Sequence, residues 1–204
     1  MTSREGGDSS PSASLRVRMT NDTREGLGMM TIGHSTLEIG VFLRALAENG
    51  CRVLVDVRRF PGSRRYPWFG QEALFDALAE VGIRGVWREG LGGRRAAKTD
   101  SVNMGWRNES FRGYADYMQT PEFAKEIDWL VGLPEVDAAV VMCAEAVPWR
   151  CHRSLIGDAV LARGVTVEDI FVDKDGRSSR RPHEMTEFAR VEGGRVWYPG
   201  LFVE

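Results

Sequence analysis

Five consecutive apolar residues, Ala138 to Met142, run straight into Cys143, Glu145 and Pro148. A strand with β-branched residues and no polar alternation is buried on both faces. Such a strand belongs in a sheet covered on each side, and that constrains the fold more than any other stretch. Pro148 suits a first helical turn, because its fixed φ fits there and its missing N–H costs nothing. The sequence therefore predicts a helix opening at Pro148, carrying Cys151, His152 and Arg153 in its first turn and Leu155, Ile156, Ala159 and Val160 on its apolar face. Two thiols, a carboxylate, an imidazole and the guanidiniums of Arg150 and Arg153 are thus crowded into one strand-to-helix turn.

The flanking chain repeats the same alternation. Met29 to Ile32 read as a strand, and Ser35-Thr36-Leu37-Glu38 matches a capping box at a helix start. Leu37, Val41, Phe42, Ala45 and Leu46 form that helix's apolar stripe, closed by Asn49-Gly50. Arg52 to Val57 read as a second strand, Gln71 to Val81 as a helix, and Ile83 to Trp87 as a third strand. Phe111 to Met118 and Pro121 to Val131 read as helices, the second capped by Thr120. Gly164 ends the helix after Cys151, Val165 to Val172 form a further strand, and Pro182 to Arg190 a short helix. The apolar Val196 to Phe202 is expected to dock on the body or on a second subunit. Strand alternating with helix predicts an α/β fold, a single domain with a mainly parallel β-sheet covered by helices on both faces. Residues 1–27 carry almost no large apolar side chains and read as a disordered tail, leaving 28–204 as the domain.

Composition narrows the function classes. Net charge is −2, which argues against a generally basic nucleic-acid binder. The charge is uneven, however. Arg52 to Arg112 hold eleven arginines and one lysine against seven acids, whereas Gly113 to Pro148 hold seven acids and one lysine. Either the fold has a positive side that attracts anions, or these are solvated faces. The odd count of three cysteines does not suggest a disulfide framework. No apolar run reaches membrane-spanning length and the N-terminus lacks a secretory h-region, so the expectation is a cytoplasmic protein with no membrane partner.

Four polar clusters follow predicted strands: Gly33-His34-Ser35, Asp56 with Arg58, the Arg88 to Arg95 loop, and Cys143 with Glu145. In an open parallel sheet such positions share the carboxyl edge, where ligands bind at the switch in strand order. Any one cluster is what loops ordinarily contain; all four together point to a shared site. Cys143-x-Glu145-x-x-Pro148-x-x-Cys151-His152-Arg153 resembles the signature of the domain-of-unknown-function 488 (DUF488) family. So do Thr31 to Thr36, Asp56-Val57-Arg58, Pro61 with Ser63-Arg64, Leu91-Gly92-Gly93, and Pro182-His183. The likeness runs in order over roughly residues 29 to 190. It implies an architecture and a site but no reaction.

The residues themselves leave several chemistries open. A thiol near a helix N-terminus and beside arginines is stabilised as thiolate, so Cys143 or Cys151 is a candidate nucleophile or resolving partner. The loop from Cys143 to Arg150 is analogous to the cysteine-to-arginine anion cradles of phosphatases and sulfurtransferases, although six residues intervene rather than five. The alternative is two small buried thiols. Glu145, Asp56 and His34 are candidate proton carriers, while Asp56 with Arg58 is equally read as a structural ion pair. Arg58, Arg64, Arg94, Arg150, His152, Arg153 and His183 are candidate substrate-binding groups, His183 closing the cleft from its far side. The leading reading is a cysteine-dependent enzyme acting on an anionic, phosphate- or nucleotide-like small molecule, with no cofactor.

Two rivals remain. Arginines interleaved with Tyr66, Trp68 and Phe69 suit a nucleic-acid or nucleotide binding module without catalysis, or else those aromatics plug a hydrophobic surface. Cys143, Cys151 and His152, joined by His34 or His183, suit a zinc-stabilised domain. Against zinc, the two cysteines lack the close spacing of structural sites, and adjacent helical residues point about 100° apart.

Overall fold

The structure, a computed structural model, describes residues 28–133 and 138–200. Six strands form one sheet in the order β3-β2-β4-β1-β5-β6. These are β1 (Met29–Gly33), β2 (Val53–Asp56), β3 (Arg84–Trp87), β4 (Ala139–Cys143), β5 (Val167–Val172) and β6 (Ser178–Pro182). The first five run parallel, and β6 pairs antiparallel with β5. Helices α1 (Ile39–Glu48), α2 (Gln71–Glu80), α3 (Glu109–Tyr117), α4 (Pro121–Val131) and α5 (Arg153–Leu161) make the connections. A small hairpin, β7 (Arg190–Glu192) with β8 (Arg195–Trp197), follows.

The uniformly apolar strands are explained by the two layers. Successive residues of a strand face opposite ways. Met30, Ile32, Leu54, Val140 and Met142 pack with Phe42, Ala45 and Leu46 of α1 and with Leu74 and Leu78 of α2. Met29, Val53, Val55, Val141 and Cys143 face the opposite layer, where Tyr114, Phe123, Ile127, Leu155 and Ile156 of α3, α4 and α5 lie. The chain leaves β1 through α1 on one face and leaves the adjacent β4 through α5 on the other. The two connections depart in opposite senses, which opens a crevice above the carboxyl ends of β1 and β4.

Several local expectations are corrected. Ser35 does not cap a helix. It takes a left-handed backbone (φ 45°), its N–H donates to Ala144 O, and α1 begins only after Glu38, whose side chain makes no capping bond. Pro148 opens an isolated 3₁₀ turn, Pro148–Arg150, which the extended Cys151 (φ −136°, ψ 146°) interrupts before α5 starts at Arg153. No helix spans 182–190: Pro182 closes β6, and His183 N–H continues the pairing by donating to Val167 O. That strand was hidden because an exposed sheet edge carries Ser, Arg and Pro rather than apolar residues. Val196 and Tyr198 do dock on the body, both being buried. The expected N-terminal tail and residues 201–204 lie outside the described residues.

Gly33 is required by packing. A Cβ there would stand 1.7 Å from Glu145 O and 2.8 Å from Arg153 Nη1. Gly33→Ala is therefore expected to push the loop after β4 away from β1. The cost should be about 1–3 kcal/mol, measurable as a lowered urea midpoint with unchanged m-value.

Candidate functional site

Loops after β1, β2, β3 and β4 converge on one cleft of about 620 Å³, whose lining includes His34, Ser35, Arg58, Arg94, Cys143 and Glu145. Polar clusters more than a hundred residues apart in sequence therefore share one concavity. Two non-glycine residues among those described have a positive φ, Ser35 and Arg94, and both line this cleft. Backbone held in that sparsely populated region is characteristic of functional sites.

At the floor, Cys143 Sγ and Cys151 Sγ lie 2.7 Å apart as free thiols. Arg153, with no exposed surface, donates from Nη1 to Cys143 Sγ at 2.8 Å. The same nitrogen reaches Ile32 O and Glu145 O, and Nη2 reaches Ala146 O. Burial alone would raise the Cys143 pKa. The hydrogen bond from Cys151 and the Arg153 charge outweigh it and bring the thiol down to about 7. Cys151 is pushed the other way, because its proton is held in the bond to Cys143 and because it is buried. The Arg153 backbone N–H at the start of α5 points at Cys151 Sγ from 3.4 Å. One sulfur is thus poised as thiolate and its neighbour kept as thiol.

Both histidines of the cleft are neutral. Burial first, and then Arg58, lower His34 to about 4. Arg58 Nη1 stands 3.3 Å from His34 Nε2 and Ser35 O stands 3.0 Å from Nδ1, so the proton belongs on Nδ1. Phe69 stacks on this ring at 4.0 Å. Burial likewise takes His152 to about 4. Its Nε2 lies 3.2 Å from Val57 O, which makes it the donor and leaves Nδ1 as an acceptor 3.5 Å from Cys151 Sγ. Gly93 allows this approach, since a Cβ there would stand 2.9 Å from His152 Nδ1.

Asp56 does not line the cleft. Its carboxylate is engaged by Arg58 Nε, Nη2 and backbone N–H at 2.6–3.1 Å, which aims the guanidinium at His34 and Phe69 O. Arg153 is a buried clamp rather than a surface on which a substrate rests. Arg64 and Arg150 are exposed and stand outside the lining, because in each stretch the backbone turns the neighbouring residue inward instead.

His183 is separate from the cleft. Asp169 at 2.8 Å and Asp158 at 3.3 Å hold its ring between β5 and α5. Gly157 admits it, because a Cβ there would lie 2.6 Å from His183 Nε2. Tyr198 Oη also donates to Asp158, and Thr31 Oγ1 to Asp169. Residues expected to plug a surface do so: Phe69 is buried, and Trp68 Nε1 donates to Leu37 O. Among the described residues no group of three or more His, Cys, Asp or Glu side chains is placed to hold a metal ion.

Arg59 and Phe60, which no sequence motif singles out, stand at the rim with Arg65, the partner of Arg64 in the arginine-rich loop. Phe60 is 63% exposed, with the Arg59 and Arg94 guanidiniums 5.8 and 5.7 Å from its ring. Arg59 Nη1 donates to Arg94 O and so joins two loops of the wall. The pairs Arg58-Arg59 and Arg64-Arg65 did signal an anion-binding loop. Which member of each faces inward depends on irregular backbone that has no period to read.

Fold and site define an α/β protein with a two-thiol cleft at the carboxyl edge of its sheet. A family model described as Domain of unknown function DUF488 matches residues 38–160, and the chain belongs to that family. No curated protein and no solved structure matches the chain. No helix among the described residues is long and apolar enough to cross a membrane.

Two measurements follow from the titrating groups. Cys143 is expected to alkylate with iodoacetamide along a pH profile centred near 7, while Cys51, pushed by burial to about 12, stays inert in the folded protein. His183 is raised from 6.5 to about 9 because its bonds to Asp158 and Asp169 outweigh burial. The stabilisation by its charged form is complete below pH 6.5 and is lost as pH rises through about 9. The stability gap between wild type and His183→Gln should narrow over that range by on the order of 3 kcal/mol in urea titrations.

Proposed function

We propose that the protein is an enzyme in which the Cys143 thiolate attacks an anionic, phosphate-bearing or nucleotide-like small molecule. The observation carrying this reading is a thiol lowered to about 7 at the floor of a cleft rimmed by Arg59, Arg65 and Arg94. A nucleophile needs the deprotonated sulfur at neutral pH, and Arg153 supplies the charge that keeps it so. Arginines bind planar or tetrahedral oxyanions through several donors at once. Arg58 is already committed to Asp56, so the guanidiniums offered to an anion in this cleft are those of the rim. Glu145, exposed at the mouth, is the carboxylate placed to carry a proton to or from a leaving group. Phe60 offers an aromatic face at the entrance, which favours a substrate with a base over bare phosphate.

A binding module for nucleotides is the second reading, and the exposed Phe60 beside two guanidiniums favours it. Oligonucleotide binding with a steep salt dependence would extend it to nucleic acid. The two readings part at the thiol. Catalysis requires Cys143, whereas a binding module would carry on without it.

Nucleoside phosphates are expected to protect Cys143 from iodoacetamide, and Arg65→Ala and Arg94→Ala should each weaken that protection roughly fivefold, about 1 kcal/mol. Cys143→Ser should keep nucleotide affinity while losing any turnover. Equal alkylation with and without nucleotide would remove the proposal.

A further inference from the structure

We infer that Cys143 and Cys151 act together as a thiol–disulfide exchange centre, in which a mixed disulfide formed on Cys143 is resolved by Cys151. Both sulfurs line the cleft, and their 2.7 Å separation puts the second thiol against any group attached to the first. The inference rests on the Cys143 thiolate of the proposed function but not on its phosphate. It assigns a substrate class, small anionic disulfides whose carboxylates meet the same rim arginines.

The step balances as two exchanges. The Cys143 thiolate attacks one sulfur of RS–SR, a Cys143–S–SR bond forms, and RS⁻ departs through the open cleft. Cys151 then attacks the Cys143 sulfur, the Cys143–Cys151 bond forms, and the second RS⁻ leaves. The Cys151 proton passes by way of His152 Nδ1, 3.5 Å away, and ends on the departing thiolate. The protein dithiol is oxidised by two electrons, and the substrate disulfide is reduced to two thiols. A soluble dithiol returns the centre to its starting state by the reverse exchange.

The asymmetry of the pair fits this order. The attacking sulfur must be ionised first, and the resolving thiol must stay protonated until a mixed disulfide removes the negative charge beside it. Arg153 serves the first condition through its guanidinium and anchors Cys151 through its backbone N–H at 3.4 Å. Cys51 is remote from this chemistry. It packs in the opposite layer with Leu46 and Leu54 and donates to Val53 O.

The test uses the full chain, glutathione disulfide as the anionic probe and cystamine as the cationic one, followed by intact mass and peptide mapping under non-reducing conditions. Wild type is expected to lose two hydrogens, to carry no glutathione, and to yield a Cys143–Cys151 linked peptide. Cys151→Ser should retain one glutathione on Cys143, and Cys143→Ser should react more than roughly tenfold more slowly. Glutathione disulfide should react faster than cystamine at low salt, with the advantage shrinking as salt rises.

A wild-type chain that keeps the glutathione adduct, or links no Cys143–Cys151 peptide, overturns the inference, and this readout does not depend on how either variant folds. Internal disulfide formation without nucleotide protection of Cys143 would retain the exchange centre and reject the phosphate-directed reading. Nucleotide protection without internal disulfide formation would do the reverse.

Discussion

A single buried guanidinium organises this protein. Arg153 has no exposed surface, yet its two terminal nitrogens meet carbonyls at the end of β1 and in the loop after β4 as well as the Cys143 sulfur. A buried cation is costly unless it is paired or hydrogen-bonded throughout. Ionisation of Cys143, whose pKa is brought down to about 7, supplies the compensating charge, so the group that holds the two central strand ends together also favours an ionised sulfur beside it. Fold stability and the ionisation of Cys143 therefore rest on the same contact. Arg153 Nε is one of the buried polar atoms without a partner among the described residues, which is a further cost the clamp sustains.

The electrostatics divide the molecule into two sites. In the cleft, burial and nearby arginines strip both imidazoles of charge, so that positive character comes from guanidiniums alone. Between α5 and β5 the opposite holds, because two aspartates keep His183 protonated. Three histidines thus serve three ends. His34 is a stacked acceptor for Arg58, His152 an acceptor beside Cys151, and His183 a charged tie between layers. Their neighbours decide the difference, not the residue type.

Much of this is legible in the sequence. The uniformly apolar, β-branched run Ala138 to Met142 reads as a doubly covered strand, and polar residues after parallel strands share an edge. Convergence of His34, Arg58, Cys143 and Glu145 follows from that rule. Other features needed the fold. Strand β6 has no apolar pattern because it is an edge, so Pro182 and His183 read as helix. Ser35 looked like a cap until the loop after β4 claimed its N–H. Asp56 and Arg153 carry ligand-like chemistry but spend it on protein partners, which residue type alone does not reveal. The inward faces of Arg59 and Arg65 depend on a loop with no repeat.

The strand order has a consequence for how the chain acquires its site. Strands β1 and β2 do not touch each other, since β4 lies between them and pairs with both. Everything from the first strand through α4 emerges from the ribosome before the piece that fills this central gap. Until then two hydrophobic strand edges face an empty slot, a long-range closure that is intrinsically slow and exposed to mispairing. The segment that fills it ends in Cys143 and is followed at once by Cys151 and Arg153. Insertion of β4 therefore joins β1 to β2 and brings in the thiol pair together, and a chain that has not reached it has neither, while β5 and β6 add afterwards on the far side of β1.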